Sequence, residues 1–540
     1  MKKHNLLKVL GITFLVVLIM TWIIPAGYYS SGEFVDAGTA PLGFFDLART
    51  PLIAIANLIQ YGILFALIGG FYGVLAKTDV YLPMIDKISA KLKGKETRFL
   101  AIMTVVFTVV SAVTGLDLFL LVLVPFVASI IIGIGCDKMS AMLATIGSII
   151  IGKIGSVYST SVTFYSSQYL GLENTSDIWP RVVICLVVTA LYALFVVGRN
   201  KKKSAIAEVA TKSDKMVEKE VKTEKVVTKQ APKKANVVKT ETKTTSTKKT
   251  DAKKTSSKKT TSKKTTTKKA STKKSTKACA KAVDQIVVKN TKKRSFLPLI
   301  ISLVIIAIVI VLAMYDWATA FNTTFFNDLY SDIMGVEVNG YPLVANIIGS
   351  VTSFGNWGIY DLIIFLLLIT PIIGWIYGVK LDDMIDGFVE GIKKALPAAC
   401  YAVLANVIYA AMYSTSTGAN IMFTIANWLI GLTEDFSVIT ATLLSGIGSF
   451  FFNDFQTLIG SLSTPIATNF TDATVYPFIA IIFQSIYGLV MMIAPTSVLL
   501  VGGLGLFDIS FGEWIKGIWK FLLKLLIVIV ILFIVIAMFI

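Results

Sequence analysis

Long apolar runs broken by short polar stretches organise this chain. Residues 6–25 are apolar for about 20 positions, enough for a helix to cross the ~30 Å hydrocarbon core of a bilayer. A short basic flank, residues 1–4, precedes them. The run is long for a signal-peptide core and no small-x-small cleavage site follows, which predicts an uncleaved first helix with its N-terminus inside. Residues 26–50 are polar and predict an outside loop; residues 51–76 form a second span. Lys77, Lys87, Lys91, Lys93, Lys95 and Arg98 then mark a cytoplasmic stretch, because positive residues stay on that side. Residues 100–115 and 118–135 read as two further spans returning to Lys138. Residues 141–170 turn from apolar to Gly-rich to hydroxyl-rich. Residues 178–197 end at Arg199, again on the basic side.

The second half resumes at residues 296–314, followed by a polar outside stretch, 315–355, and a return over 358–377. Residues 380–394 read as a short amphipathic cytoplasmic helix. Apolar runs at 397–412, 421–430, 438–452, 478–501 and 522–540 complete about a dozen membrane elements. Several are too short to be full spans. The fold class is thus an all-α polytopic membrane protein in two transmembrane halves, 1–199 and 296–540. Each half ends in a broken apolar region, which is how inverted-repeat transporters look from sequence.

Composition adds one separate feature. Of the 540 residues 55% are hydrophobic and only 16% charged, with a mean hydropathy of +0.74, which excludes a string of soluble domains. The formal net charge of +18 is concentrated in residues 201–300, which hold 31 Lys plus Arg against 8 Asp plus Glu. The remainder is slightly acidic. Lys-Lys doublets begin at Lys248, Lys253, Lys258, Lys263, Lys268 and Lys273. A five-residue spacing gives the doublets no common helix face, and they repel one another. Residues 200–295 therefore read as a disordered cytoplasmic linker. As a ligand surface, it would take anionic lipid or nucleic acid and make the protein a membrane-anchored polyanion tether; otherwise it is a solvated connector.

The chemistry available is narrow. The one histidine is His4, and Cys136, Cys185, Cys279 and Cys400 form no CxxC pair. His-based catalysis, a zinc site and a disulfide framework are all disfavoured, and no cofactor or metal is expected. No nucleophile motif or paired-carboxylate signature appears, so an enzyme is not expected.

Polar residues inside apolar runs remain as candidates, since backbone in a bilayer bonds to itself unless it lines a cavity. Lys153 sits in Gly152-Lys153-Ile154-Gly155-Ser156, ahead of Ser159, Thr160 and Ser161. A charge at the bilayer centre costs about 2.5–3.5 kcal/mol on insertion scales. Lys153 needs an acidic partner, an anionic ligand or a route by which its ammonium snorkels to the interface. The preceding Gly147–Lys153 stretch imitates a phosphate loop, but Ile154 stands where Ser or Thr must hold Mg²⁺. A second cluster comprises Asn406 and Ser414, Thr415, Ser416 and Thr417 before Gly418. The third is Asn453-Asp454, where Asp454 would titrate, bind a cation, pair with Lys153 or lie in an interfacial turn. The fourth is Gln484 with Pro495, Thr496 and Ser497. Asp117 is one more isolated acid, in a turn between two spans.

Trp22-Ile23-Ile24-Pro25-Ala26-Gly27, residues 68–78, and the closing series Phe483-Gln484, Ala494-Pro495-Thr496-Ser497, Leu504-Gly505-Leu506 and Glu513-Trp514-Ile515-Lys516 resemble the YfcC/DcuC-type anaerobic C4-dicarboxylate carriers of the ion-transporter superfamily. The resemblance covers most of both halves and leaves out the Lys-rich insert. It implies two inverted repeats, each with a re-entrant hairpin and a broken helix around a central site, and a homodimer. The sequence also departs from the family pattern. Val162-Thr163 replaces an Asn-Pro pair, Leu118-Phe119 stands at the paired acids, Asn406-Val407 replaces an Arg-Gly, and Tyr487 and Met491 replace an Asp and an Asn. The scaffold is shared more closely than the substrate or coupling ion.

These readings predict a secondary transporter in the plasma membrane, moving a small carboxylate-bearing metabolite by alternating access. Its substrate site would comprise Lys153, Ser159, Thr160, Ser161, Asn406, Ser414, Thr415, Ser416, Thr417, Thr496 and Ser497. Asp454, Asn453 and Gln484 would serve a coupling ion or proton. An amino-acid exchanger, for example of arginine/ornithine type, is the alternative on the same scaffold.

Overall fold

The computed structural model describes residues 5–173, 177–201, 295–413, 418–432 and 436–539. The Lys-rich insert with its expected disorder, and Ser414 to Thr417, lie outside the described residues. The protein is nearly all helical, and among the described residues ten helices are long and apolar enough to cross a membrane.

The first half comprises α1 (Asn5–Ile23), a β-hairpin of β1 (Gly27–Ser30) and β2 (Glu33–Asp36), α2 (Asp46–Lys77), α3 (Tyr81–Leu92), α4 (Glu96–Thr114) and α5 (Asp117–Gly133). A helical run α6 (Lys138–Gly155), α7 (Thr163–Leu170) and α8 (Ile178–Lys201) follow. The second half holds α9 (Leu297–Met314), α10 (Ile359–Ile376), α11 (Leu381–Leu404), α12 (Val407–Met412), α13 (Ile421–Ile430), α14 (Val438–Phe451), α15 (Phe455–Asn469), α16 (Tyr476–Met491), α17 (Val498–Phe507) and α18 (Phe511–Ala537). Both halves belong to one compact unit.

Three expectations change. The polar stretch 26–50 contains the β-hairpin, whose Gly27 pairs with Asn420. The amphipathic run 380–394 and the apolar run after it are one helix, α11, with Pro397 inside. Acidic Asp382 and Asp383 occupy its first turn, where they suit the helix dipole. The run 478–501 is two helices separated at residues 492–497.

Glycines set the closest helix pair. Gly69 and Gly73 on α2 face Gly391 and Gly387 on α11, and a Cβ at any of the four would collide with the opposing helix. Small residues let backbones approach where lipid provides no hydrophobic drive. Lys77 and Glu390 close this seam at 3.2 Å. Other contacts gather the basic residues at the same end. Lys87 lies 4.3 Å over the Phe296 ring, and Arg199 binds Asp137, the N-cap of α6, at 3.3 Å.

The innermost helix is α6, with Ile149, Ile150 and Ile151 fully buried. Such a helix is apolar all round because it has no wet face. At its π-turn, Leu143–Gly147, the Leu143 carbonyl takes the Ser148 amide and hydroxyl and also accepts from the Tyr192 hydroxyl at 2.8 Å. Likewise the Trp514 indole donates to the Met492 carbonyl at 2.8 Å, where α16 stops. Both donors come from the helices that wrap the core, and the Met492 carbonyl left open there would be costly.

Candidate functional site

Two helical hairpins and two broken helices converge on one cavity of about 620 Å³. The hairpin α4/α5 turns at Gly115-Leu116 and α14/α15 turns at Phe452-Asn453. The broken helices are α6 with α7, separated by residues 156–162, and α16 with α17. They run in opposite senses: α6 starts at the basic end, whereas Asp508, after α17, meets Lys138 there at 3.8 Å.

The local chemistry explains how irregular backbone survives in the interior. Gly115 has φ +68, and a Cβ there would crowd Ser159 Oγ and the amides of Thr160 and Ser161. Glycine thus lets the first tip touch the first break. The Val157 amide donates to the Ala112 carbonyl at 2.9 Å, and Thr160 Oγ1 to the Thr114 carbonyl at 3.2 Å. These donors satisfy carbonyls that the end of α4 leaves open. From the second half, Gln484 Nε2 donates to the Ser156 carbonyl at 3.1 Å and Ser485 Oγ to the Ile154 carbonyl at 2.9 Å. In return Thr496 Oγ1 donates to the Phe450 carbonyl at 2.9 Å.

Lys153, in the last 3₁₀ turn of α6, is ion-paired with Asp117, the first residue of α5. Both side chains are only 10% exposed. Ser111 Oγ lies 2.8 Å from Asp117 Oδ1. The acid comes from the hairpin tip and not, as one sequence reading allowed, from Asp454. Asp454 caps α15 instead: Oδ1 accepts from the Thr457 amide at 2.7 Å and Oδ2 from the Thr457 hydroxyl at 2.8 Å. The pair holds the Lys153 charge in a buried place where alone it would be expensive.

Of the sequence candidates, Lys153, Thr160, Ser161, Asn406, Asn453, Asp454 and Ser497 line the cavity. Ser159 sits behind it, 3.0 Å from Ser161 Oγ, and Gln484 and Thr496 are spent on backbone carbonyls. Asp117, read as a turn acid, proves central. Asn57, Gln60 and Tyr61 also line the cavity from α2, which leaves helical geometry at Leu58, and so do Tyr165, Tyr409, Gln456, Thr457 and Trp357. Asn57 and Gln60, three apart in an apolar run, were the available signal for the α2 face. Among the described residues no cluster of three or more His, Cys, Asp or Glu side chains could hold a metal.

A polar cavity enclosed by membrane-length helices, hairpin tips and helix breaks is the construction of a multi-pass carrier. The C4-dicarboxylate anaerobic carrier family matches residues 248–539 and the citrate transporter family matches residues 5–387. The chain belongs to these carboxylate-carrier families, and it is therefore a secondary transporter of carboxylate or dicarboxylate type and not an enzyme. No curated protein matches it in sequence. Among solved structures, the Alcanivorax borkumensis YdaH transporter, described as having an unusual topology, aligns over 99% of this chain and 98% of that chain with 14% identity and a TM-score of 0.36.

Proposed function

We propose that this protein moves a small carboxylate-bearing metabolite across the plasma membrane by alternating access. The observation that carries this reading is the buried Lys153–Asp117 pair facing a cavity built by both halves. An ammonium already stripped of most of its water binds a carboxylate strongly, because little further desolvation is needed. Ligand binding would transfer the Lys153 contact from Asp117 to the substrate carboxylate. Ser161, Thr160 and Ser497 offer hydroxyls beside it, and the amides at the start of α17 favour negative groups. Because the two broken helices run in opposite senses, a shift of tips and broken helices together would open the cavity to one side and close it to the other. In this reading the basic helix ends and residues 202–294 face the cytoplasm.

Reconstitution in proteoliposomes provides the test. The wild-type protein is expected to catalyse counterflow of a labelled carboxylate, and Lys153→Ala to weaken its apparent affinity at least tenfold. Unchanged affinity in that variant would remove the lysine from the mechanism.

A further inference from the structure

Arg181 ends the first turn of α8 and is 0% exposed. Its helix fixes where it lies. Arg181, Ile184, Cys185 and Val188 are all buried and spaced to share one face of α8. That face packs on the first break: a Cβ at Gly155 would collide with Cys185, and Cys185 clusters with Val157 and Ala112. Arg181 stands one turn nearer the start of α8 than Cys185. It lines neither the central cavity nor the pocket of about 30 Å³ at Tyr158, Ser159 and Phe164.

Nothing among the described residues answers its charge. Nε, Nη1 and Nη2 all lack a hydrogen-bond acceptor, and Arg181 takes part in no ion pair. Asp177, four residues back, is near enough for its charge to be felt, yet makes no hydrogen bond to the guanidinium.

Three effects press in one direction. A guanidinium cannot shed its proton on burial, as an amine can. Its N–H groups are strong donors, and buried donors are rarely left open. Helix side chains also lean towards the N-terminus, so this one carries its charge back to the positive end of the α8 dipole, where a cation is disfavoured. A negative ion beside the guanidinium relieves all three, because the helix start and the guanidinium both attract it.

We propose that Arg181 and the start of α8 bind a small monovalent anion, of chloride size, at a structural site separate from the central cavity. Full burial, away from the metabolite-sized chamber, limits the ligand to about one atom, and Asp177 nearby disfavours a second negative charge. The bound anion ties the outer end of α8 to the first break. The rival partner is Asp177 itself, since residues four apart on a helix can pair.

The purified full chain is melted in the sodium salts of chloride, bromide, gluconate and sulfate at fixed ionic strength. General salting effects rank sulfate above the halides. Specific binding predicts the reverse: a saturable rise in chloride and bromide, by about 3 °C or more over gluconate, that sulfate does not give. Arg181→Gln is expected to abolish the halide response and Lys153→Ala to keep it. Asp177→Asn removes the neighbouring negative charge and is expected to half-saturate at a chloride concentration about twofold lower, without losing stability in chloride. Equal melting in chloride and gluconate, or a halide response that Arg181→Gln retains, would overturn the proposal. So would loss of the response in Lys153→Ala, which would put the anion in the central cavity. Should Arg181→Gln not fold, Asp177→Asn decides: destabilisation in chloride and gluconate alike, with the chloride midpoint unmoved, would make Asp177 the partner and end the case for an anion. None of these results bears on the carboxylate reading, which counterflow tests separately.

Discussion

Lys153 on the broken helix α6 is held by Asp117 at the turn of the α4/α5 hairpin. The two residues are 36 positions apart in the chain, and their contact ties the first tip to the first break. Removing one partner leaves an uncompensated buried charge, which costs about 3–5 kcal/mol. Lys153→Ala and Asp117→Ala are each expected to lower the melting temperature clearly. The double variant should lie closer to wild type than the sum of the two. Additive losses in a double-mutant cycle would show that the pair is not coupled.

The tip itself depends on Gly115. With φ +68 and the Ser159–Ser161 backbone against it, any side chain there meets both strain and contact. A left-handed conformation costs a non-glycine residue about 1–2 kcal/mol before any clash. Gly115→Val is expected to cut transport more than tenfold in proteoliposomes while the detergent-solubilised protein still elutes as a folded species. Normal transport in that variant would mean that the tip and break need not touch.

The α2/α11 seam belongs to the scaffold. Gly73→Leu or Gly391→Leu would drive a side chain into the opposing backbone, and overpacking of this kind costs about 1–3 kcal/mol or more. Both variants should melt earlier than Gly11→Leu, which has open space around it on α1. Equal melting temperatures for all three would contradict the close approach.

Freed carbonyls give a quieter test. Trp514→Phe removes the indole donor that the Met492 carbonyl has among the described residues while keeping a ring in place. An unsatisfied buried acceptor costs about 1–3 kcal/mol. A lower melting temperature is expected, with the apparent affinity for substrate nearly unchanged.

Cys136 lies in the loop between α5 and α6. Burial, followed by the nearby charges of Glu96 and Asp137, pushes its thiol up to about 11. Since the thiolate is the reactive form, a variant retaining only Cys136 should react with maleimide at neutral pH about 100-fold more slowly than an ordinary thiol. Because the shift is upward, the rate should keep rising beyond pH 9. A plateau near pH 8.5 would refute the buried placement.

Several elements were legible because they answer local rules. Apolar runs of about 20 residues became α1, α9 and α10 almost to the residue, since length and hydropathy alone decide whether a helix can live in lipid. Gly115, Asn453 and Pro495 mark turns and a break because each residue type weakens helix locally. Lys153 was visible as a charge needing compensation. Its partner was not, because an acid beside a turn looks the same whether it faces water or a lysine. Gln484 and Thr496 looked like ligands for a similar reason: a polar side chain in an apolar run declares a need for a partner without naming it, and each donates to a backbone carbonyl, Ser156 at the first break and Phe450 near the end of α14.

The chain's order of apolar and polar residues therefore determined that this is a polytopic helical membrane protein, where helices such as α1, α9 and α10 stop, and which side chains require company. Only the tertiary structure decided which company: that Asp117 and not Asp454 binds Lys153, that α2 lends its Asn57–Tyr61 face to the cavity, and that Asn406, Asp454 and four tyrosines line that same cavity. The physical reason is range. Helix formation and membrane insertion are settled by neighbours a few residues away. Pairing of buried polar groups is settled by elements that meet only after the two halves have packed.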